Sequence, residues 1–278
     1  MKVIICTMVK DEDDIVEDWI LYHGNIFGYE NLIIIDNHST DATYDICQKY
    51  ISKGIRLIRE DKYTWKGTYM THYMRHTKCD IFFPLDIDEF IVNYNKDTNS
   101  IETTSIITEL KNCLDNNKGY PAYKATYIDP IKTNTYDTVF GFTNGNISTY
   151  IDPHFRKTFI VAANVPNNFV IDHGNHMHTI PYKNTSIHLV HYHQRNHDQM
   201  VKKITNNVTG LLYNPELVHL ETLIKNKPTC PGNHHVKKMI QLLKGTRYDV
   251  KVYPHDVNKC TLNPLIELLK SLKDIKDN

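Results

Sequence analysis

The feature that most constrains this chain is a regular alternation in its first 90 residues, where short apolar runs take turns with segments of helical spacing or helix-capping residues. Val3 to Val9 is apolar and rich in β-branched residues, as a buried strand requires. After KDEDD, residues Ile15, Trp19, Ile20 and His23 recur at helical spacing, with acids in the first turn and Gly24 and Gly28 at the close. NLIIID reads as a second strand, and NHSTD supplies the caps of a helix through ATYDICQKY, which ends at Gly54. IRLIRE is a third strand, Tyr69 to Lys78 a helix, and DIFFPLD a fourth strand running into DIDEF. Such alternation predicts an α/β fold with a mostly parallel, doubly wound sheet flanked by helices. Ligands in such sheets sit beyond the carboxyl ends of the strands. The places to look are therefore KDE, DNHSTD and DIDE, all acidic and polar. The G-x-G-x-x-G of a dinucleotide fold and the GK[ST] of a phosphate loop are absent from those places.

Past Asn93 the alternation fades. Ile106 to Leu114 reads as helical, and Tyr120 to Ile151 as short strands and loops. RKTFIVAANV, FVID and SIHLVHYH read as three more strands, and from Arg195 the chain turns helical, ending in the apolar stripe of PLIELLKSLKDIK. With no repeat or low-complexity linker, one domain is expected over 1–278. Its parts are 1–95, which holds the strand and helix alternation, 96–205, and a helical tail (206–278). Lys+Arg and Asp+Glu number 32 each, which disfavours a global grip on nucleic acid. No run approaches the roughly 18 apolar residues of a membrane span. The six cysteines lie far apart without a C-x-x-C pair, so reduced thiols and a cytoplasmic location are expected.

Asp86, Asp88 and Glu89 follow the most apolar of the strands. Burying several carboxylates there is costly unless a cation or donors meet them. Residues two apart on a strand point the same way, so Asp86 and Asp88 are candidates to share one Mg2+ or Mn2+ ion. Helix caps or a loop ion-pair network would use the same residues. Sixteen histidines are the other anomaly, seven of them between His173 and His197. They suit hydrogen-bonded imidazoles on strands. They also suit a transition-metal site, in which His176 with His178, or His191 with His193, joins Asp172 in a hydrolase or oxygenase centre.

KDEDDIVEDWILYHGNIFGYENLIIIDNHSTDAT, followed by DIDEF, resembles the GT-A fold glycosyltransferases of families 2 and 92. RKTFIV and HLVHYHQRNHDQMVKKI resemble later segments of such enzymes more loosely. The resemblance implies a metal-dependent transfer of a sugar from a nucleotide-sugar, a UDP-sugar, to a hydroxyl on a glycan, protein or lipid-linked acceptor. It implies that 1–95 is a nucleotide-sugar-binding half and 96–205 an acceptor and metal-completing half, and that Thr7, Lys10, Glu12 and Asp36 line the base pocket, with Asp36 on uridine. Asp86 would approach ribose and metal, and Asp88 would bind the Mn2+ or Mg2+ that bridges the diphosphate. A histidine, His191 first and His176 second, would complete that metal's ligands. Asn37-His38 departs from the family 2 D-D-G-S pattern. An inverting transfer needs a base, for which Asp172 is the candidate, although a turn before His173-Gly174 would also use an Asp. Lys157, Arg195 and Lys203 are candidates for the diphosphate oxygens. A sugar-binding module without turnover would carry the same motifs.

Overall fold

The computed structural model describes residues 1–130, 149–174, 176, 180–193, 195, 197–247, 260 and 262–277. The first four strands fall where the apolar runs predict: β1 (Val3–Val9), β2 (Leu32–Asp36), β3 (Arg56–Arg59) and β4 (Ile81–Leu85). Every residue of β1, β2 and β4 is buried, which is why these strands read as continuous apolar runs rather than alternating ones. Between them lie α1 (Val16–Phe27), α2 (Thr43–Gln48) and α3 (Lys66–His76). The polypeptide continues through β5 (Glu89–Asn95), β6 (Ser100–Glu102), α4 (Ile106–Asp115), β7 (Ala122–Pro130), β8 (Thr149–Val161) and β9 (Tyr182–His191). Helices α5 (His197–Gly210), α6 (Leu217–Asn226), α7 (Asn233–Leu243) and α8 (Asn263–Asp277) follow.

The strands form one sheet in the order β3-β2-β1-β4-β8-β7-β9-β5-β6. Its first half is parallel throughout, β1 pairing with both β2 and β4, and β2 with β3. The second half is mixed: β7 runs parallel to β9, whereas β8 is antiparallel to β4 and β7, and β5 to β6 and β9. The mostly parallel expectation therefore describes the half built by strand-helix-strand crossovers. The sheet has a core on each face. Val3, Ile5 and Val9 of β1 face α1, α4 and α8, while Ile4, Cys6 and Met8 face α3. Helix α8 is fastened to α1 by Lys276 on Glu17 (2.7 Å) and Lys273 on Asp18 (2.5 Å).

FVID is not a strand. Phe169 and Ile171 are buried against α3, and the Ile171 N–H donates to Thr71 Oγ1 (2.9 Å) instead of to a neighbouring strand. Gly67 admits this approach, since a Cβ there would lie 2.1 Å from the Ile171 carbonyl oxygen. Helices α5, α6 and α7 pack around a third core of their own, with Met200, Ile204, Val208, Leu220, Val236 and Met239 at its centre. The expected boundary at residue 206 thus falls inside α5. No helix among the described residues is long and apolar enough to cross a membrane.

Candidate active site

The loops after β1 and β2 are tied to each other. Asp11 Oδ1 accepts the N–H of Thr40 (2.5 Å) and of Asp41 (3.3 Å), the Asp11 N–H donates to Ser39 Oγ (3.0 Å), and the Glu12 N–H donates to Thr43 Oγ1 (2.7 Å). Asp11 and His38 hold φ near 52° and 53°, a left-handed conformation that non-glycine residues adopt sparingly. Behind them Asp36 is fully buried, accepting from Arg59 Nε (2.9 Å) and the Ser39 N–H (3.2 Å), while the Arg59 guanidinium lies 3.8 Å from the Tyr44 ring centroid. Lys10 Nζ donates to the Asn37 carbonyl (3.2 Å). Lys10, Glu12 and Asn37 line a cavity of about 940 Å3 at the carboxyl ends of the central strands. Thr7 and Asp36 lie outside that lining, and Thr7 is buried, its Oγ1 without a hydrogen-bond partner among the described residues.

Of the acid triplet after β4, Asp86 and Asp88 line the cavity while Glu89 is fully buried outside the lining, and the three carboxylates are charge-balanced by three lysines. Asp86 accepts from Lys66 and from Lys157 (2.6 Å), and Lys157 Nζ also lies 3.0 Å from Glu89. Burial works against ionisation of Asp86, but these ammonium groups overcome it and hold the carboxyl well below its usual range. Burial wins at Glu89, whose pKa is raised despite Lys157; its second oxygen accepts the Tyr127 hydroxyl (2.6 Å). Asp88, 1% exposed, is paired with Lys203; against the cost of burial, Lys203 and then His191 hold it below the carboxylate norm.

Strand β9 delivers the histidines. Glu89 is in register with His191 across the β5–β9 pairing, so the acid-bearing turn and the histidine strand meet by construction. His191 Nδ1 is 2.9 Å from Asp129 Oδ1 and its Nε2 is 3.7 Å from Asp88 Oδ2, while His193 Nδ1 is 3.9 Å from that same oxygen. Burial alone would lower the His191 pKa, but Asp88 and Asp129 together raise it. Asp88, His191 and His193 each bring one donor atom within 4.8 Å of the others. Such a carboxylate-diimidazole set fits a divalent transition ion, and the Asp129 contact on Nδ1 leaves Nε2 as the ligating atom of His191. Asp86 and His176 are not in this group. His176 lies in the cavity lining beside the Tyr127 ring (6.4 Å), and His178 falls outside the described residues. Asp172 is exposed and outside the lining, its Oδ1 accepting the His176 N–H (3.1 Å).

The remaining wall comes from α5 and α7. Lys203, Asn206 and Asn207 of α5 and His234, His235 and Lys238 of α7 line the cavity. Arg195, buried, forks onto Asp14 (2.6 Å) and Glu12, and Lys157 is 1% exposed, so both bases are committed to carboxylates. Sequence reasoning missed His193 as a partner of Asp88 and, while expecting helix from Arg195 onward, missed α7 as a wall of the cavity; the pair of adjacent histidines in GNHHVKK was the available signal.

Residues 27–93, about a quarter of the chain, match the model of glycosyl transferase family 2. The match runs from the end of α1 through β2, β3 and β4 to β5, and so includes Asp36, Asp86, Asp88 and Glu89. Among solved structures the chain is similar to glucosyl-3-phosphoglycerate synthase from Mycobacterium tuberculosis. One such structure holds Mn2+, UDP and glucosyl-3-phosphoglycerate and another holds Mg2+ and UDP. Identity is 18% over 45% of this chain, with a TM-score of 0.32 in both cases. The chain covers 44% and 43% of those proteins respectively, less than half their length. No curated protein matches.

Proposed function

We propose that the chain is a metal-dependent glycosyltransferase that moves a sugar from a UDP-sugar to a hydroxyl acceptor. The observation that carries this reading is the meeting of Asp88, which lies in the segment that matches glycosyl transferase family 2, with His191 and His193 of the later chain in a cavity at the strand ends. Lys10, Glu12 and Asn37 lie at the end of the cavity where the loops after β1 and β2 would hold the nucleotide, with Thr7 and Asp36 behind them. A divalent ion at Asp88, His191 and His193, Mn2+ in preference to Mg2+ given two nitrogen donors, would act as a Lewis acid for the departing diphosphate. Lys203 is the base best placed for the diphosphate oxygens, because it lines the cavity beside Asp88. Lys157 and Arg195 would act behind it, by holding Asp86 and Glu12.

In the transfer the bond from the anomeric carbon to the diphosphate oxygen breaks and a bond to the acceptor oxygen forms. The hydroxyl proton goes to a base, and Asp172, adjacent to the cavity-lining His173, is the proposed one. A two-histidine, one-carboxylate group also suits a hydrolase or oxygenase centre, which would bind metal without nucleotide affinity. Calorimetric titration with UDP, with and without Mn2+, separates the two readings. Glycosyl transfer predicts Mn2+-stimulated UDP binding that Asp88→Asn abolishes; metal binding with no UDP response refutes it.

A further inference from the structure

The wall that α7 contributes is of one electrical sign. Lys238, His234 and His235 face the cavity, Lys203 stands next to them on α5, and no carboxylate of α5 to α7 lines the cavity among the described residues. His235 is half-buried and its pKa is pushed down to about 3, first by burial and then by His234 and Lys238; the same causes, burial and then Lys238, lower His234. Both are therefore neutral at physiological pH, held so partly by surrounding positive charge, and both can donate an N–H. Across the cavity His173 Nδ1 is buried without a hydrogen-bond partner among the described residues.

This wall lies at the acceptor end. The cavity runs from the loops after β1 and β2, past Asp88, to Tyr127 and Asp129 of β7 and to His191 and His193 at β9. Lys238 Nζ is 3.2 Å from His193 Nε2, so α7 stands against the β9 end of the cavity. A further coupling follows from the imidazole tautomers. A neutral His193 that ligates an ion through Nδ1 keeps its proton on Nε2, which then no longer accepts from Lys238.

We propose that the α7 wall, with Lys238 as its charge and His235 as a donor, binds an anionic group of phosphate type on the acceptor. The acceptor role rests on the glycosyl-transfer reading; the anion site itself does not. A phosphoryl group there would accept from Lys238 and from the neutral imidazoles, which are suited to charge-assisted hydrogen bonds. The donor diphosphate has the same chemistry, so the test has two arms. Calorimetry measures inorganic phosphate binding to the metal-free protein, and UDP binding in the presence of Mn2+, for the parent chain and for Lys238→Met and His235→Gln. The amide of His235→Gln can keep a contact with Asn207, which in the parent lies 3.4 Å from His235 Nδ1.

The expected result is phosphate binding that weakens about tenfold or more in Lys238→Met and by a smaller factor in His235→Gln, with UDP affinity within about twofold of the parent. Phosphate binding that is absent from the parent, or unchanged in both variants, overturns the site. An equal loss of UDP affinity overturns its assignment to the acceptor, because the wall then serves the donor. If phosphate binding depends on Lys238 but UDP never binds, the anion site stands and the glycosyl-transfer reading falls.

Discussion

Lys203→Met is the most informative single change, because Lys203 holds the carboxylate that a metal ion would need. Its ammonium pairs with Asp88, which is 1% exposed and among the described residues has the imidazoles of His191 (3.7 Å) and His193 (3.9 Å) as more distant partners. Metal binding at this carboxylate must displace the ammonium, so the strength of the ion pair is subtracted from metal affinity. Breaking a buried pair by deleting one partner costs about 3–5 kcal/mol. The nearby histidines put this case at the lower end, about 3 kcal/mol, while methionine preserves the packing of the aliphatic stem. In Lys203→Met the same energy appears twice with opposite sign. The metal-free protein unfolds about 3 kcal/mol more easily in urea, and Mn2+ measured by electron paramagnetic resonance binds about a hundredfold more tightly. A variant that loses stability yet binds Mn2+ no better, or less well, refutes the competition and makes Lys203 a structural partner only.

Lys157→Met should remove about 3–5 kcal/mol of stability, since it strips one ammonium from the buried Glu89 and from the partly exposed Asp86, and adding Glu89→Gln should recover part of the loss in urea unfolding. Asp18, buried at α1 under Lys273, has its pKa pushed up to about 6, burial outweighing the lysine. An acid with a raised folded-state pKa binds its proton more readily when folded. Its contribution to stability therefore grows as pH falls from about 6 towards the ordinary carboxyl value, and is flat above that window. The parent should gain stability relative to Asp18→Asn as pH falls over that range in denaturant titrations at successive pH values, and a pH-independent difference would contradict the assignment.

What the sequence reveals of this fold is what local periodicity encodes. The runs of β1, β2 and β4 are apolar because both faces of those strands are buried, and burial leaves a mark on every residue. FVID carries a similar mark for a different reason: Phe169 and Ile171 are buried against a helix, and composition alone does not separate that from pairing in a sheet. The acid triplet was visible because buried carboxylates at a strand end demand partners. Which partners they find was not visible, since Lys66, Lys157 and Lys203 come from three distant segments and meet only through the crossovers of the sheet. The choice of His193 over His176 beside Asp88 likewise depends on the register of β9 against β5, a tertiary fact without a local signature.

The third core, within α5 to α7, gives one wall of the cavity a folding nucleus separate from the sheet that supplies the others. Packing losses at Met200, Val236 or Met239 need not propagate into β1 or β4. Substitutions there can loosen the wall while leaving the strand-end loops intact. Amide exchange in α5 and α7 should then report a local opening well below the energy of global unfolding.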